Sequence, residues 1–213
     1  MPRETVGVRK KNTGVRKRGR ERREHLIRAA YDLLCERSVE NIAFIDIANR
    51  ASIPEGSAYH FFSNKYDVFS ALAEQLTGEF ILALEKPFRL NQTISWQELV
   101  DQFINRGVRV YRKNPPAMQL FLGSKTPPEI KLQDRVNDRV VAETMLNVFS
   151  RYFVVPEIPD FEKVLYYFIE ISDLILSLSL LENGKITNGM IEEAKHAGRG
   201  YLSFYLPETL KKR

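Results

Sequence analysis

The sequence predicts an all-α protein, with an N-terminal three-helix domain of helix-turn-helix type and a larger C-terminal helical domain. Three observations carry that reading. Apolar residues recur at three- and four-residue spacing along most of the chain after residue 22. Few windows of four or more residues alternate strictly, so no sheet is expected. Proline, glycine and capping residues punctuate the helical stretches, and no repeat of fixed period runs through them.

In the first helix, from Arg22 to Arg37, Leu26, Ile27, Ala30, Leu33 and Leu34 share one face. A short second helix runs from about Phe44 to Arg50 with Phe44, Ile47 and Ala48 inward. Ala51-Ser52-Ile53-Pro54 breaks the pattern, and Pro54 suits the first position of a further short helix, Glu55 to about Phe62. Ser63 is the expected cap of a long helix from Lys65 to about Glu85. Ser95 caps the next, through Arg112. Pro115-Pro116 and Pro127-Pro128 bracket a short helical piece around Met118 to Leu122, and Pro128 opens a helix reaching Phe153. Phe161 to Leu181 is strongly apolar and closes at Asn183-Gly184, and a last helix spans about Asn188 to Tyr205.

Charge divides the chain unevenly. The 213 residues carry 32 Lys and Arg against 27 Asp and Glu, a net +5. Residues 1–24 alone hold ten basic and three acidic groups, a net +7, so the remaining 189 residues are slightly acidic at −2. Residues 1–20 are therefore expected to be a basic, disordered arm, residues 21–66 the helix-turn-helix domain (motif about 43–62), and residues 67–213 the second domain. Such an arm either releases counterions from a nucleic-acid backbone or is simply a solvated tail. The lone Cys35 excludes an intramolecular disulfide and fits a reducing compartment, and its apolar neighbours predict a buried, inert thiol. The basic start lacks a following apolar stretch, so it does not read as a secretory signal; Glu170 and Asp173 interrupt the most apolar window, Val164–Leu181. A cytoplasmic protein without a membrane span is the expectation.

Residues 22–62 place three short helices in sequence, the last two joined by a turn of about four residues. In that arrangement the second helix of the pair enters a major groove of double-stranded DNA. Ala48 is small where the helices approach, and Ile53 tucks the turn into the core. The following segment is too polar to be core: Gly56 and Ala58 allow close backbone approach, while Ser57, Tyr59 and His60 can donate to phosphates or base edges. The alternative is a helical hairpin whose polar residues merely face solvent.

These residues resemble the tetracycline-repressor (TetR) family. The run from Leu26 to Glu36 is similar to its first helix. Ile47-Ala48, Ala51-Ser52-Ile53-Pro54-Glu55-Gly56-Ser57-Ala58-Tyr59, Phe62 and Lys65 resemble its helix-turn-helix signature in order and spacing, over about residues 22–75. Three positions depart: Ser52 stands where a turn glycine is usual, Ala43 where a threonine commonly caps the second helix, and Phe61 where His or Tyr is frequent. The resemblance implies that Pro54, Gly56 and Ser57 lie at the groove, with Tyr59 and Lys65 toward phosphates, and that His60 reads sequence. Glu55 either accepts from cytosine or favours the helix N-terminus, and Arg20 and Arg22 belong to a basic stretch reaching phosphates or the minor groove.

It further implies a homodimer on a near-palindromic operator, a repressor released by a small-molecule effector, and an interface formed by the last two long helices. Effector-lining candidates are Phe103, Tyr111, Phe121 and Tyr152, although aromatic residues at helical spacing are more often plain core. Tyr166, Glu170, Asp173 and Ser177 form one polar stripe, which faces solvent, pairs with a basic group across the dimer, or meets a polar or cationic ligand. No cofactor or metal site is expected, because His25, His60 and His196 are widely separated and no phosphate-binding or nucleophile-elbow motif occurs. Two other classes fit part of the pattern: an all-helical ligand carrier or enzyme with a basic tail, and a non-specific DNA-packaging protein.

Overall fold

The computed structural model describes residues 13–88 and 95–213. Helix α1 (Thr13–Glu36) lays Leu26, Ile27, Ala30, Leu33 and Leu34 into the core. Residues 1–12 of the expected arm lie outside the described residues, but Thr13 to Arg20 continue α1, which corrects the expectation of disorder through residue 20. Arginine, lysine and glutamate are good helix formers, so a packed helix propagates into a segment with no apolar face of its own. Cys35 is exposed rather than buried, because it falls one step round the helix from Leu33 and Leu34.

Helix α2 (Phe44–Arg50) buries Phe44, Ile47 and Ala48 against α1. Its N-cap, Ala43, has no side-chain acceptor, and Asp46 Oδ2 accepts the Ala43 N–H at 2.8 Å in partial compensation. Arg50, in the last turn of α2, grips Glu36 with two hydrogen bonds of 2.9 and 2.6 Å. After the turn comes α3 (Glu55–Ala58), shorter than expected. Residues 59–61 only wind on as turns, with the N–H groups of His60 and Phe61 reaching back three residues. Helix α4 (Lys65–Glu85) is capped by Asn64, not Ser63: the Asn64 side chain accepts from Tyr66 and Asp67 N–H at 2.7 and 3.1 Å.

The turn between α2 and α3 carries the cost of the missing glycine. Ser52 is exposed with φ +55°, a left-handed conformation in which an L side chain costs about 1 kcal/mol relative to glycine. Ser52→Gly is expected to raise stability by about 0.5–1 kcal/mol, part of the gain being offset by the freer unfolded chain, and urea denaturation measures it.

In the second half α5 (Trp96–Lys113) and α7 (Pro128–Tyr152) pack on α4, the short α6 (Pro115–Ala117) packs on α1 and α5, α8 (Phe161–Asn183) packs on α7, and α9 (Asn188–Leu202) packs on α8 and α5. Ser95 and Glu98 close a reciprocal capping box at the start of α5, as the sequence predicts for Ser95. Helix α6 runs directly into a π-helical turn, Met118–Leu122. Gly184, with φ +66°, ends α8. Helix α9 ends at Leu202, three residues earlier than expected. The C-terminal segment then doubles back, with Pro207 O accepting from Trp96 Nε1 at 2.8 Å and Lys212 bridging to Phe153. Among the described residues no strand longer than that bridge occurs. Helix α4 packs on α1 at one end and on α5 and α7 along the rest of its length, so a single apolar core runs from the three-helix head into the second unit.

Candidate nucleic-acid interface and internal cavity

The head presents α3 outward. Ile53 and Phe62 are buried and Ala58 fully so, which seats the segment, while Pro54, Glu55, Gly56, Tyr59 and His60 are exposed and Ser57 is half-buried. Tyr59 is 51% exposed, yet held: its ring lies 4.7 Å from that of Phe44, and its hydroxyl donates to Glu55 at 3.3 Å. A large polar-tipped side chain is thereby fixed above the surface before any ligand arrives. Arg20 and Arg22 are exposed on α1, and Arg23 lies over the Phe62 ring at 5.0 Å. Lys65 is not extended toward solvent, as a phosphate-binding role would have it. It is half-buried and its ammonium donates to Ile42 O at 2.7 Å, tying the start of α4 to the entry of α2.

A separate feature lies in the second unit. A cavity of about 70 Å³ lies among α4, α5, the π turn, α7 and α8. Phe80, Phe103, Tyr111, Phe121, Met145 and Phe168 form much of its wall. The rings of Phe80 and Tyr111 meet edge-to-face at 4.8 Å, and those of Phe80 and Phe121 at 5.8 Å. Of the four aromatic residues singled out in the sequence, Phe103, Tyr111 and Phe121 come together here. Tyr152 does not: at the end of α7, beyond the turn that carries Met145, its hydroxyl accepts the Phe88 N–H at 3.2 Å.

The polar stripe on α8 also divides. Asp173 lines the cavity and accepts from the Tyr111 hydroxyl at 2.8 Å. Glu170 accepts from Tyr166 at 2.7 Å and pairs with Arg135 of α7 at 3.3 Å, so its basic partner lies in the same chain rather than across a dimer. Ser177 donates to Leu174 O at 2.8 Å. Phe80, Met145 and Phe168 of the wall escaped the sequence reading, as did two further acidic wall residues, Asp134 and Asp138 of α7. The signal was present: Asp134, Asp138, Val141 and Met145 recur at four, three and four, so the acid pair extends an apolar stripe into the bundle.

Burial raises all three cavity carboxyls, Asp173 to about 7, Asp134 to about 8 and Asp138 to about 10. The neighbouring carboxylates add to the rise at Asp134 and Asp138, whereas the Tyr111 hydrogen bond opposes it at Asp173. A folded-state pKa above the unfolded value means stability that is present in acid and lost as pH rises through the folded pKa. The stability of this protein is therefore expected to fall between about pH 4 and pH 10, the last part of the fall belonging to Asp138. Asp138→Asn, neutral at every pH, should flatten that fall; unfolding midpoints measured across the range test it.

Besides α4, which packs on α1 and lines the cavity, the π turn joins the head to the cavity. The π turn sends Phe121 into the cavity, and two residues earlier Gln119 points to the head. Gln119 Nε2 donates to Leu34 O at 2.6 Å and Arg37 O at 3.0 Å, and its Oε1 accepts the Val39 N–H at 3.0 Å. One side chain thus completes the C-terminal end of α1 and the start of the loop to α2. The turn itself is tightly held: Thr126 donates to Gln119 O at 2.7 Å, and a β-carbon on Gly123 would stand 2.2 Å from that oxygen.

Comparison with known proteins matches both parts of this architecture. Residues 26–72 match the family model described as bacterial regulatory proteins, tetR family, and residues 94–205 match the tetracyclin repressor-like C-terminal domain. The HTH-type transcriptional regulator BetI of Stenotrophomonas maltophilia is 23% identical over 191 residues, covering 87% of this chain and 93% of that protein. The transcriptional regulator AcuR of Cereibacter sphaeroides is 35% identical over 65 residues, 30% of each chain. Among solved structures, a TetR-family regulator from Streptomyces coelicolor superposes with a TM-score of 0.68 at 21% identity, over 87% of this chain and 99% of that one. The multidrug binding protein EbrR, complexed with imidazole, superposes at 0.60 and 17% identity, over 85% and 89%. With the C-terminal model alone spanning more than half of the sequence, and the exposed α3 lying within the residues that the N-terminal model matches, this chain belongs to the TetR family of DNA-binding transcriptional regulators.

Proposed function

We propose that the protein acts in the cytoplasm as a homodimeric repressor. It would hold a near-palindromic operator in the absence of a small-molecule effector and release it when the cavity fills. The observation that carries this reading is Gln119, because the turn that lines the cavity through Phe121 also holds the end of α1. In this reading residues 13–66 form the DNA head and residues 67–213 the effector and dimerisation unit. Gly56 and Ser57 sit at the groove with Pro54 and Glu55 beside them, Tyr59 anchors a phosphate and His60 reads a base edge. Arg20 and Arg22 lie at the backbone. Lys65 acts through Ile42, with two donors of its ammonium left over.

Dimerisation is supported by α8. It is long and apolar enough to cross a membrane by composition, yet Glu170 and Asp173 in its middle turn toward α7 and the cavity. What remains outward is an apolar stripe of Tyr167, Leu174, Leu178 and Leu181, with Leu181 67% exposed. An unpaired stripe of this kind, continued by the exposed Phe204 after α9, suits a two-fold four-helix contact.

Selection of bound duplexes from a random pool tests the reading. Enrichment of a palindrome with half-sites about one helical turn apart, or somewhat more, is the expected result. Retention without a consensus would point to packaging, and no retention to a carrier or enzyme.

A further inference from the structure

We infer that the ligand of the cavity is a compact organic cation, its ammonium held at Asp134, Asp138 and Asp173 and its apolar part lodged among the rings of Phe80, Phe103 and Phe168. The inference rests on the effector reading above and specifies the ligand's chemistry.

The cavity has two ends. The inner end is hydrocarbon and aromatic, and ring faces attract an ammonium as well as apolar groups. The outer end opens between α7 and α8 into a second hollow of about 150 Å³, which shares Phe121 and all three aspartates with the first. The carboxyls therefore stand at the neck between an apolar chamber and its polar mouth. Among the described residues none of the three forms an ion pair. Arg135, the nearest guanidinium, is committed to Glu170.

Three carboxyls around one neck are a poor site for an anion, and a neutral ligand gains nothing from their capacity to ionise. A cation draws the carboxyls into their ionised forms and pairs with them in a place where water is scarce and Coulomb attraction is strong. The titratable and charged groups facing the neck are Tyr111 from α5, Lys131, Asp134, Arg135 and Asp138 from α7, and Glu170 and Asp173 from α8. Burial keeps the three aspartyl carboxyls partly or wholly protonated near neutrality while the chamber is empty. An entering ammonium favours their ionised forms, so binding releases protons to the buffer, and affinity increases with pH. With about 70 Å³ in the inner chamber and about 150 Å³ in the adjoining hollow, the ligand is limited to about one ring beside its ammonium.

The test compares benzyltrimethylammonium with its neutral carbon isostere, neopentylbenzene, on the full-length protein by calorimetry. The cation is expected to bind at least about tenfold more tightly at pH 8, with affinity lower at pH 6 and a heat that depends on the buffer's ionisation enthalpy. In the Asp138→Asn/Asp173→Asn variant, which keeps the size and the neutral state of the side chains, the cation should lose at least about tenfold while the isostere changes by less than about threefold. Operator binding by the variant checks that it is folded. Equal affinity for the two probes, or undiminished cation affinity in the variant, would overturn the assignment and leave an effector cavity for neutral ligands. Binding of neither probe would overturn it as well. The effector reading itself falls only if filling the cavity by mutation also leaves operator affinity unchanged, so the two failures are distinguishable.

Discussion

Tyr59→Ala is expected to lower operator affinity by about thirty- to a thousandfold, while unfolding free energy changes by less than about 1 kcal/mol. Each head loses one pre-positioned contact of about 1–2 kcal/mol, and a two-fold dimer loses it twice. The fold has little stake in the side chain. Tyr59 is half-exposed, and its packing is a single ring contact with Phe44 and a weak hydrogen bond to Glu55. His60→Ala separates affinity from readout: it should relax preference at one base pair of each half-site by about 1–3 kcal/mol and spare the salt dependence. Fluorescence anisotropy on the selected operator and its single-site mutants measures both.

Gln119→Ala is expected to act in two ways. It leaves the Val39 N–H and the Leu34 and Arg37 carbonyls without their partner, in places only partly open to water, which costs about 1–3 kcal/mol of stability. It also cuts the polar link that runs from the cavity wall to the head through the π turn. Repressor function would then persist without release: operator binding stays, and the response to a filled cavity disappears. Lys125–Glu40 and Tyr31–Asn114 are the other ties between the two units near this point, and neither carries a residue of the cavity wall. Their removal should weaken the head's attachment and leave the response in place.

Much of this was legible in the sequence for local reasons. The limits of α2, α4 and α7 follow from Ala51–Pro54, Lys65 and Pro128, and the cap of α5 from Ser95, because each boundary signal lies within one turn of the residue it controls. Ser52 was marked as misplaced in its turn, and the structure holds it at positive φ. Adjacent capping residues defeated the same logic at Ser63 and Asn64, where propensity does not separate the two. Between Thr13 and Arg20 the arm departs from the expected disorder because the helix propensity of its arginine and lysine residues outweighs the lack of apolar content.

Gln119 had no local signal at all. It is one polar residue in an apolar run, and its partners lie 80 to 85 residues away. Phe103, Tyr111 and Phe121 could be chosen as aromatic residues of the right region, but their convergence on one cavity depends on how α5, the π turn and α7 cross. Tyr152, chosen on the same ground, packs at the far end of α7. Asp134 and Asp138 were readable only by treating an acid pair as part of an apolar stripe.

The coupling of cavity to head is tested most directly by a double-mutant cycle on operator affinity. Met145 is buried in the cavity wall, and Met145→Trp fills the space from within in place of a ligand. Operator affinity is measured for the native protein, Met145→Trp, Gln119→Ala and the double variant, at one salt concentration and with each protein confirmed as folded. Met145→Trp should weaken operator binding about tenfold in the native background and less than about twofold in the Gln119→Ala background, an interaction energy of about 1–3 kcal/mol. The same loss in both backgrounds, or no loss in either, would contradict it.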